Sequence, residues 1–530
     1  MNAAQAMNLG GLLTQTARLF PDRPGLIQGE RQWTWAELDL RIDAMVAALR
    51  ELGLKKGDRI LVHSRNSVQM FESCWVAFRL GCVWVPTNFR LMPNDVAYLA
   101  TSSGAVAMLT EDIFSEYVDV VRAASPALRH VVRFGRARPG EHAYETLVDQ
   151  HLGQRPAVAD VVYDDPLWAF YTSGTTGKPK AGILTHGQLC FVVTNHLTDL
   201  IPGTTEQDCS LAVAPLSHGA GVHALLNVAR GAATVLLPSE KMDPEMVWQL
   251  IERHRVTNLF TVPTIVKILV EHPAVDLYDH QSLRYVIYAG APMYRTDQKL
   301  ALQKLGQVLV QYYGLGEVTG CITVLPPAMH SADDNDPQAH IGSCGRPRTG
   351  MEIAILDDDL RPLPPEEVGE ICCRGPAVFA GYLGNEEATA KALRGGWFHT
   401  GDLGRIDKRG LLYITGRASD MYISGGSNVY PREVEELLLT HPAVLEVAVL
   451  GVPDEKWGEV GVAVVVARAD GPSVTAAELL ASLEGRCARY RWPRHVFFWD
   501  ALPKSAYGKI AKNDIRKHLY ARGDIKAFAP

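Results

Sequence analysis

Between Asp58 and Tyr313 short apolar runs alternate with longer stretches of helical period, and this alternation limits the fold more than any other feature. The runs "RILVH", "AVAMLT", "LWAFYTS", "ATVLLP", "NLFTVP" and "LRYVIYAGAP" read as buried strands. Between them lie segments such as "DPEMVWQLIERHR", where Asp243 can cap a helix and Pro244 can occupy its first turn. Strand–helix alternation predicts an α/β fold with parallel sheets covered by helices. Ligands of such sheets gather beyond the carboxyl ends of the strands. Three unusual stretches fall there: "TSGTTGKPK" after "WAFY", "GAP" after "VIYA", and "GLGE" after "VLVQYY".

At 530 residues the chain exceeds one ordinary core, so at least two domains are expected. From Gly345 to Tyr413 the texture changes to short alternating strands with Gly and Pro turns, which predicts a small β-rich subdomain. Beyond "TGRASDMYISGG" an α+β pattern returns, with a helix from about Pro431, the strands "VLEVAVLGV" and "GVAVVVARA", and a helix from about Ser473. The Gly-rich joint suggests a boundary that separates 1–417 from 418–530.

Lys plus Arg total 52 against 59 for Asp plus Glu, a mild net charge of −7 that argues against a general nucleic-acid binder. Nine scattered cysteines form no C-x-x-C pair, which argues against zinc and for reduced thiols. The N-terminus lacks a signal-peptide pattern, and no uncharged apolar run reaches the roughly eighteen residues of a membrane helix. A cytoplasmic protein without a membrane span is expected, and a homodimer is compatible with it.

The stretch "YTSGTTGKPKAG" combines three glycines with hydroxyls and two lysines. Glycine lets backbone N–H groups approach an anion, and hydroxyls and ammonium groups add donors and charge. The common nucleotide loop G-x-x-x-x-G-K-[ST] does not fit, because Gly174 and Gly177 are three apart and Pro179 follows Lys178. Locally the stretch is either a polar surface turn or a phosphate loop of another design.

Seven segments occur in order: "YTSGTTGKPKAGILTH", "APLSHGAG", "YAGAP", "QYYGLGEVTG", "GWFHTGDLG", "YITGRASDMYISGG" and "LPKSAYGKI". Together they resemble the signatures of the adenylate-forming acyl-CoA synthetases, a family that includes peptide-synthetase adenylation domains and firefly luciferase. The resemblance covers nearly the whole chain. It implies a large N-terminal domain and a small mobile C-terminal one. It also implies that a carboxylate attacks the α-phosphorus of ATP, giving acyl-adenylate and pyrophosphate, after which a thiol displaces AMP.

By that resemblance Thr172, Ser173, Gly174, Thr175, Thr176, Gly177 and Lys178 hold the ATP phosphates, and Glu317 ligates Mg²⁺. Tyr313 stacks on adenine beside Tyr312 and Gly314, with Gly290, Ala291 and Pro292 opposite. Asp402 binds the ribose hydroxyls and Arg417 lies against the same sugar. Lys509 meets the acyl carboxylate and α-phosphate, where a cation stabilises developing charge. His218, at the wall of the acyl site, gates access for the thiol and counts with Lys509 and Glu317 as catalytic; Val222, Tyr288, Leu315, Gly316 and Gly320 also belong to the acyl site, and Gly425 and Gly426 approach CoA. Without the resemblance, Glu317 reads as an exposed helix-start carboxylate, Tyr313 and His218 as core side chains, and Lys509 as solvent-facing.

Two positions depart from the family pattern. Gly316 stands where Y-G-x-T-E has a Thr that contacts the α-phosphate, which removes a donor and either slows adenylation or widens the acyl pocket. Ser419 stands at the interdomain hinge, where Asp or Lys is usual. No phosphopantetheine attachment site is evident, so a CoA ligase is expected ahead of an enzyme that loads a separate carrier protein. A non-catalytic nucleotide sensor is the alternative of another class, against which Lys509, Glu317 and Asp402 together argue. "SHGAGVH", "VIYAGAP" and "GLGEVTGCIT" contain no Lys or Arg for a second carboxylate. A medium-to-long fatty acid or an aryl or arylpropenoic acid is therefore expected rather than a short dicarboxylic acid.

Overall fold

A computed structural model describes residues 7–525 except 173–177, 240, 292, 338, 470 and 505–509. Two compact units emerge, the first formed by residues 1–292, 299–353 and 373–398, the second by 293–298, 354–372 and 399–530. The expected domains, by contrast, are divided by a single cut after residue 417.

In the first unit one sheet runs His142–Ala143, His130–Phe134, Ala107–Glu111, Arg59–His63, Val83–Thr87, Pro166–Thr172, Lys180–Thr185. All its pairings are parallel except the last. The second sheet has a parallel centre of Cys209–Ala212, Ala233–Leu236, Asn258–Thr261, Tyr285–Tyr288 and Leu309–Tyr313. Pro24–Gln28 continues the parallel centre beside Ala233–Leu236 and pairs antiparallel with Arg31–Thr34, and at the other side Thr323–Leu325 is antiparallel to Leu309–Tyr313. Each apolar run of the sequence is one of these strands. Their two-sided burial requires the near-continuous Val/Ile/Leu pattern, because helices cover both faces.

Local signals set the helix starts. Thr185 accepts from the Gln188 N–H and Gln188 returns the bond, forming a capping box for the helix His186–Asp199. Asp243 accepts from the Glu245 N–H and Pro244 opens the helix Pro244–His254, as the residue pattern predicts. The helix Glu386–Ala392 was not expected within the β-rich stretch. Asn385 caps it through the Ala388 N–H, a signal that the surrounding Gly and Pro turns hide.

In the second unit residues 402–406, the end of the strand Phe398–Ile406, pair antiparallel with Leu412–Arg417 in a register that sets Asp402 opposite Arg417. The unit also contains a sheet ordered Ser427–Val429, Tyr422–Ser424, Gly458–Ala467, Val444–Asp454, with His495–Phe498 against Gly458–Ala467. The helix predicted from about Pro431 spans Pro431–Leu439, and the one predicted from about Ser473 begins later, at Ala476, behind a Thr475 capping box. The nine cysteines are free thiols, seven of them buried. No described helix is long and apolar enough to cross a membrane.

Candidate active site

The first unit gathers its candidate residues where strands end. Pro166–Thr172 delivers Thr172, Tyr285–Tyr288 leads to Gly290, and Leu309–Tyr313 leads to a single 3₁₀ turn, Gly316–Val318. That turn carries Glu317, which is 5% exposed. Its backbone carbonyl accepts from the Phe379 N–H at 2.7 Å, fixing the turn to the chain beyond residue 376. Glu317 Oε1 accepts from the Thr172 hydroxyl at 3.1 Å and the Tyr382 hydroxyl at 3.0 Å. Both hydroxyls bind Oε1, and neither engages Oε2. Burial and then the Glu317 carboxylate push the Tyr382 phenol well above its ordinary range, so it remains a donor. Lys180 sets its ammonium 5.5 Å from the Tyr382 ring centroid, and Lys178 lies over Tyr98 at 5.1 Å. One buried carboxylate steadied by neutral hydroxyls fits a divalent cation that shares its remaining positions with phosphate oxygens.

Gly316 has a close neighbour that the sequence does not reveal. A Cβ there would lie 2.7 Å from two ring carbons of Phe170 and 2.9 Å from Thr172 Cγ2. The space a threonine would take is occupied by Phe170. The same ring meets His218 edge-on at 5.4 Å, and His218 precedes the helix Gly219–Val228 with Nδ1 3.0 Å from the Ser217 hydroxyl. Along that helix Val222 is buried, and a Cβ on Gly219 would meet Phe260 at 2.7 Å. Leu315 is half-buried against the core.

Strand alternation sends Tyr312 and Tyr313 to opposite faces. Tyr312, expected with the nucleotide residues, instead stacks with Phe260 and His223. Tyr288 is fully buried and its hydroxyl lies 3.0 Å from His330 Nε2, so its placement is that of a core side chain. Gly314 and Gly320 approach each other closely: a Cβ on Gly314 would lie 2.5 Å from Gly320 backbone atoms, and Gly320 has φ +77°. Backbone packing therefore requires these glycines independently of any acid. Gly290, with φ +83°, and Ala291 are exposed. The expected phosphate residues 173–177, Pro292 and Lys509 lie outside the described residues.

In the second unit Asp402 is 6% exposed and pairs with Arg417, Nε to Oδ1 at 3.1 Å. Its backbone is fixed by the Thr400 hydroxyl, which accepts from the Asp402 N–H at 3.0 Å and donates to the Ile371 carbonyl at 2.7 Å. Glu370 completes the support, with one oxygen 2.7 Å from His399 Nδ1 and the other accepting from the Gly401 N–H. Ser419 is exposed in the turn after Arg417. Gly425 and Gly426, at φ +57° and +81°, form the two-residue turn that pairs Ser424 with Ser427. Positive φ at both central residues is what a type I′ hairpin demands, a structural need for both glycines.

Sequence reasoning missed Phe170, Tyr382 and Glu370, whose partners are distant in the chain. "GYLGN" offered no spacing that points from Tyr382 to Glu317.

The profile of AMP-binding enzymes matches residues 13–383, and that of the AMP-binding enzyme C-terminal domain matches 433–509. A feruloyl-CoA synthase of Amycolatopsis is 37% identical over 513 residues, covering 96% of this chain and 99% of that protein. An indoleacetate–CoA ligase of Aromatoleum aromaticum is 33% identical, covering 97% and 99%. Among solved structures, the o-succinylbenzoate CoA synthetase of Bacillus subtilis, in complex with its acyl-adenylate intermediate, superposes with a TM-score of 0.83. It is 31% identical, with 96% and 98% of the two chains covered. The anthranilate CoA ligase AuaEII shares the fold at a TM-score of 0.89. The chain belongs to the AMP-binding, adenylate-forming enzyme family and is an AMP-forming acyl-CoA synthetase.

Proposed function

We propose that the chain activates an aryl or arylpropenoic acid with ATP and transfers the acyl group to CoA, releasing AMP and diphosphate. The observation that carries the acid class is the aromatic wall beyond Glu317: Phe170 against His218, then Phe260, Tyr312 and His223 stacked within 6 Å of one another. A flat π-system fits such walls, where rings stack at little conformational cost. The relatives named for feruloyl and indoleacetate substrates support the same class.

On this reading the acid enters past His218 and Phe170, with its carboxylate beside Glu317. Glu317 would hold Mg²⁺, which, when bound, offsets phosphate charge as the carboxylate oxygen attacks the α-phosphorus. Thr172 and Tyr382 orient Glu317 by donating to Oε1. Asp402 would accept from the ribose hydroxyls, with Arg417 fixing the carboxylate. Lys509 would stabilise charge at the carboxylate and α-phosphate, and residues 173–178 would hold the leaving diphosphate. Rotation about Ser419 would then bring Gly425 and Gly426 toward the pantetheine arm of CoA.

A panel of cinnamic, benzoic, indolylacetic, octanoic and palmitic acids, each with ATP and Mg²⁺ and with or without CoA, tests this. The expected result is multiple turnovers of AMP only with CoA, fastest for aryl acids. Turnover confined to the alkanoic acids, or AMP formation indifferent to CoA, would overturn it.

A further inference from the structure

The aromatic wall ends on buried ring nitrogens without partners. His223 is 3% exposed, and among the described residues neither of its ring nitrogens has a hydrogen-bond partner. It stacks on Phe260 at 4.6 Å and on Tyr312 at 5.9 Å, and His196, fully buried, meets it edge-on at 5.3 Å. Arg348 comes from far along the chain to set Nη2 3.2 Å from His196 Nδ1. A guanidinium can only donate, so in this contact His196 Nδ1 accepts, with Cys321 Sγ 3.5 Å from the same nitrogen. His196 Nε2 is itself buried without a partner among the described residues. Burial and then the Arg348 charge lower both imidazoles, His223 to about 3, so both rings are neutral near pH 7.

Native interiors rarely leave such groups unsatisfied, and here three nitrogens on two adjacent rings are unmatched. His223 lines a cavity of about 10 Å³ with Leu216, Ala220, Ala224, Phe260, Ser210 and Thr234, and the Thr234 hydroxyl is likewise without a partner among the described residues. That volume admits about one oxygen-sized atom and no ring. The cavity shares Phe260 with the wall at Gly219, the first residue of the helix that begins beside Phe170. An acid whose carboxylate lies near Glu317 and whose ring follows this wall would direct its far substituent at His223.

We propose that His223, backed by His196, is a specificity residue that hydrogen-bonds a single oxygen substituent on the distal end of an aryl acid; this rests on the aryl-acid CoA ligase reading above. The neutral imidazole serves either chemistry: its bare nitrogen accepts from a phenol, and its N–H donates to an ether or carbonyl oxygen.

The test compares kcat/KM for acids that differ only at the distal atom, 4-hydroxycinnamate against cinnamate and 4-methoxycinnamate against 4-methylcinnamate. Both pairs are measured for the wild-type, His223→Phe and His223→Gln enzymes. A site with buried polar groups rejects an analogue that leaves them unpaired, so the wild type should favour the oxygen-bearing acid by about tenfold or more. His223→Phe should bring the ratio to near one, and His223→Gln should retain part of it. A wild-type ratio near one with cinnamate well used would overturn the proposal and assign the cavity to a resident water only. Equal loss on both acids in a folded His223→Phe enzyme would overturn it too, by assigning His223 a structural role. If His223→Phe does not fold, the wild-type and His223→Gln ratios decide. Turnover of alkanoic acids with none of any aryl acid would defeat the underlying reading and this proposal with it, an outcome distinct from an unselective aryl-acid ligase.

Discussion

Restoring the family threonine at Gly316 should damage this enzyme. The β-carbon of Gly316→Thr would sit 2.7 Å from the Phe170 ring and 2.9 Å from Thr172 Cγ2, where carbon pairs prefer about 3.5–4.0 Å. The ring must therefore retreat by roughly 1 Å. It cannot move toward Trp168, which is 1% exposed and packed on Trp84 at 4.5 Å, so its way out is toward His218 and the acid. Overpacking of this kind costs about 1–3 kcal/mol. Two readings follow: a lower urea midpoint, and a kcat/KM for diphosphate release reduced about 10–100-fold for arylpropenoic acids but less for benzoate. Phe170→Leu should relieve the clash, so the double variant should recover at least about 1 kcal/mol relative to the sum of the two single changes. Wild-type stability and selectivity in Gly316→Thr, or strict additivity in the double variant, would refute the assignment of Phe170 as the occupant of that space.

Glu317→Gln should lower adenylation by about 100-fold or more while the fold persists, and near-normal turnover at limiting Mg²⁺ would exclude it as a metal ligand. Tyr382→Phe removes one of two hydroxyl donors to Oε1 and should cost about 1.5–3 kcal/mol of transition-state stabilisation, read as a 10–100-fold loss in kcat/KM; an unchanged value would show that Thr172 alone suffices. Ser419→Pro should spare diphosphate release but impair thioester formation from supplied acyl-AMP, and Lys509→Ala should do the reverse; loss of the same half-reaction in both would exclude a two-conformation cycle. Stability should fall on acidification from pH 6.5 to about 4. His63 and His186 are held near 4 and His223 near 3 by burial, so the unfolded chain takes up protons in that window while the folded one does not. Each histidine contributes a slope of at most about 1.4 kcal/mol per pH unit, and urea midpoints that stay flat from pH 6.5 to 4.5 would contradict it.

The fold was legible because its signals are local. Strand runs, the Asp243–Pro244 helix start and the switch to short strands near Gly345 depend on neighbours within a few residues. The motif order carried the family assignment for the same reason. What escaped sequence reasoning depends on pairs far apart in the chain. Gly316 looks like free volume until Phe170, 146 residues earlier, is seen filling it. The acyl segments contain no arginine, yet folding brings Arg348 to His196 behind them. Gly314 and Gly320, which the resemblance gives to the nucleotide and acyl sites, meet in a close backbone approach that no local pattern announces. Local sequence reports what a residue can do, and only the fold reports which neighbour uses the space.

The central claim is that the carboxylate itself attacks the α-phosphorus of ATP and that the thiol then breaks the acyl–oxygen bond. An aryl acid labelled with ¹⁸O in both carboxylate oxygens, turned over with ATP and CoA, tests this by mass spectrometry of the products. The attacking oxygen becomes the bridge of the acyl-adenylate and leaves with the nucleotide. The expected result is one ¹⁸O in every AMP, one in the acyl-CoA carbonyl and none in the diphosphate. Unlabelled AMP, or label in phosphate beside ADP, would contradict the account.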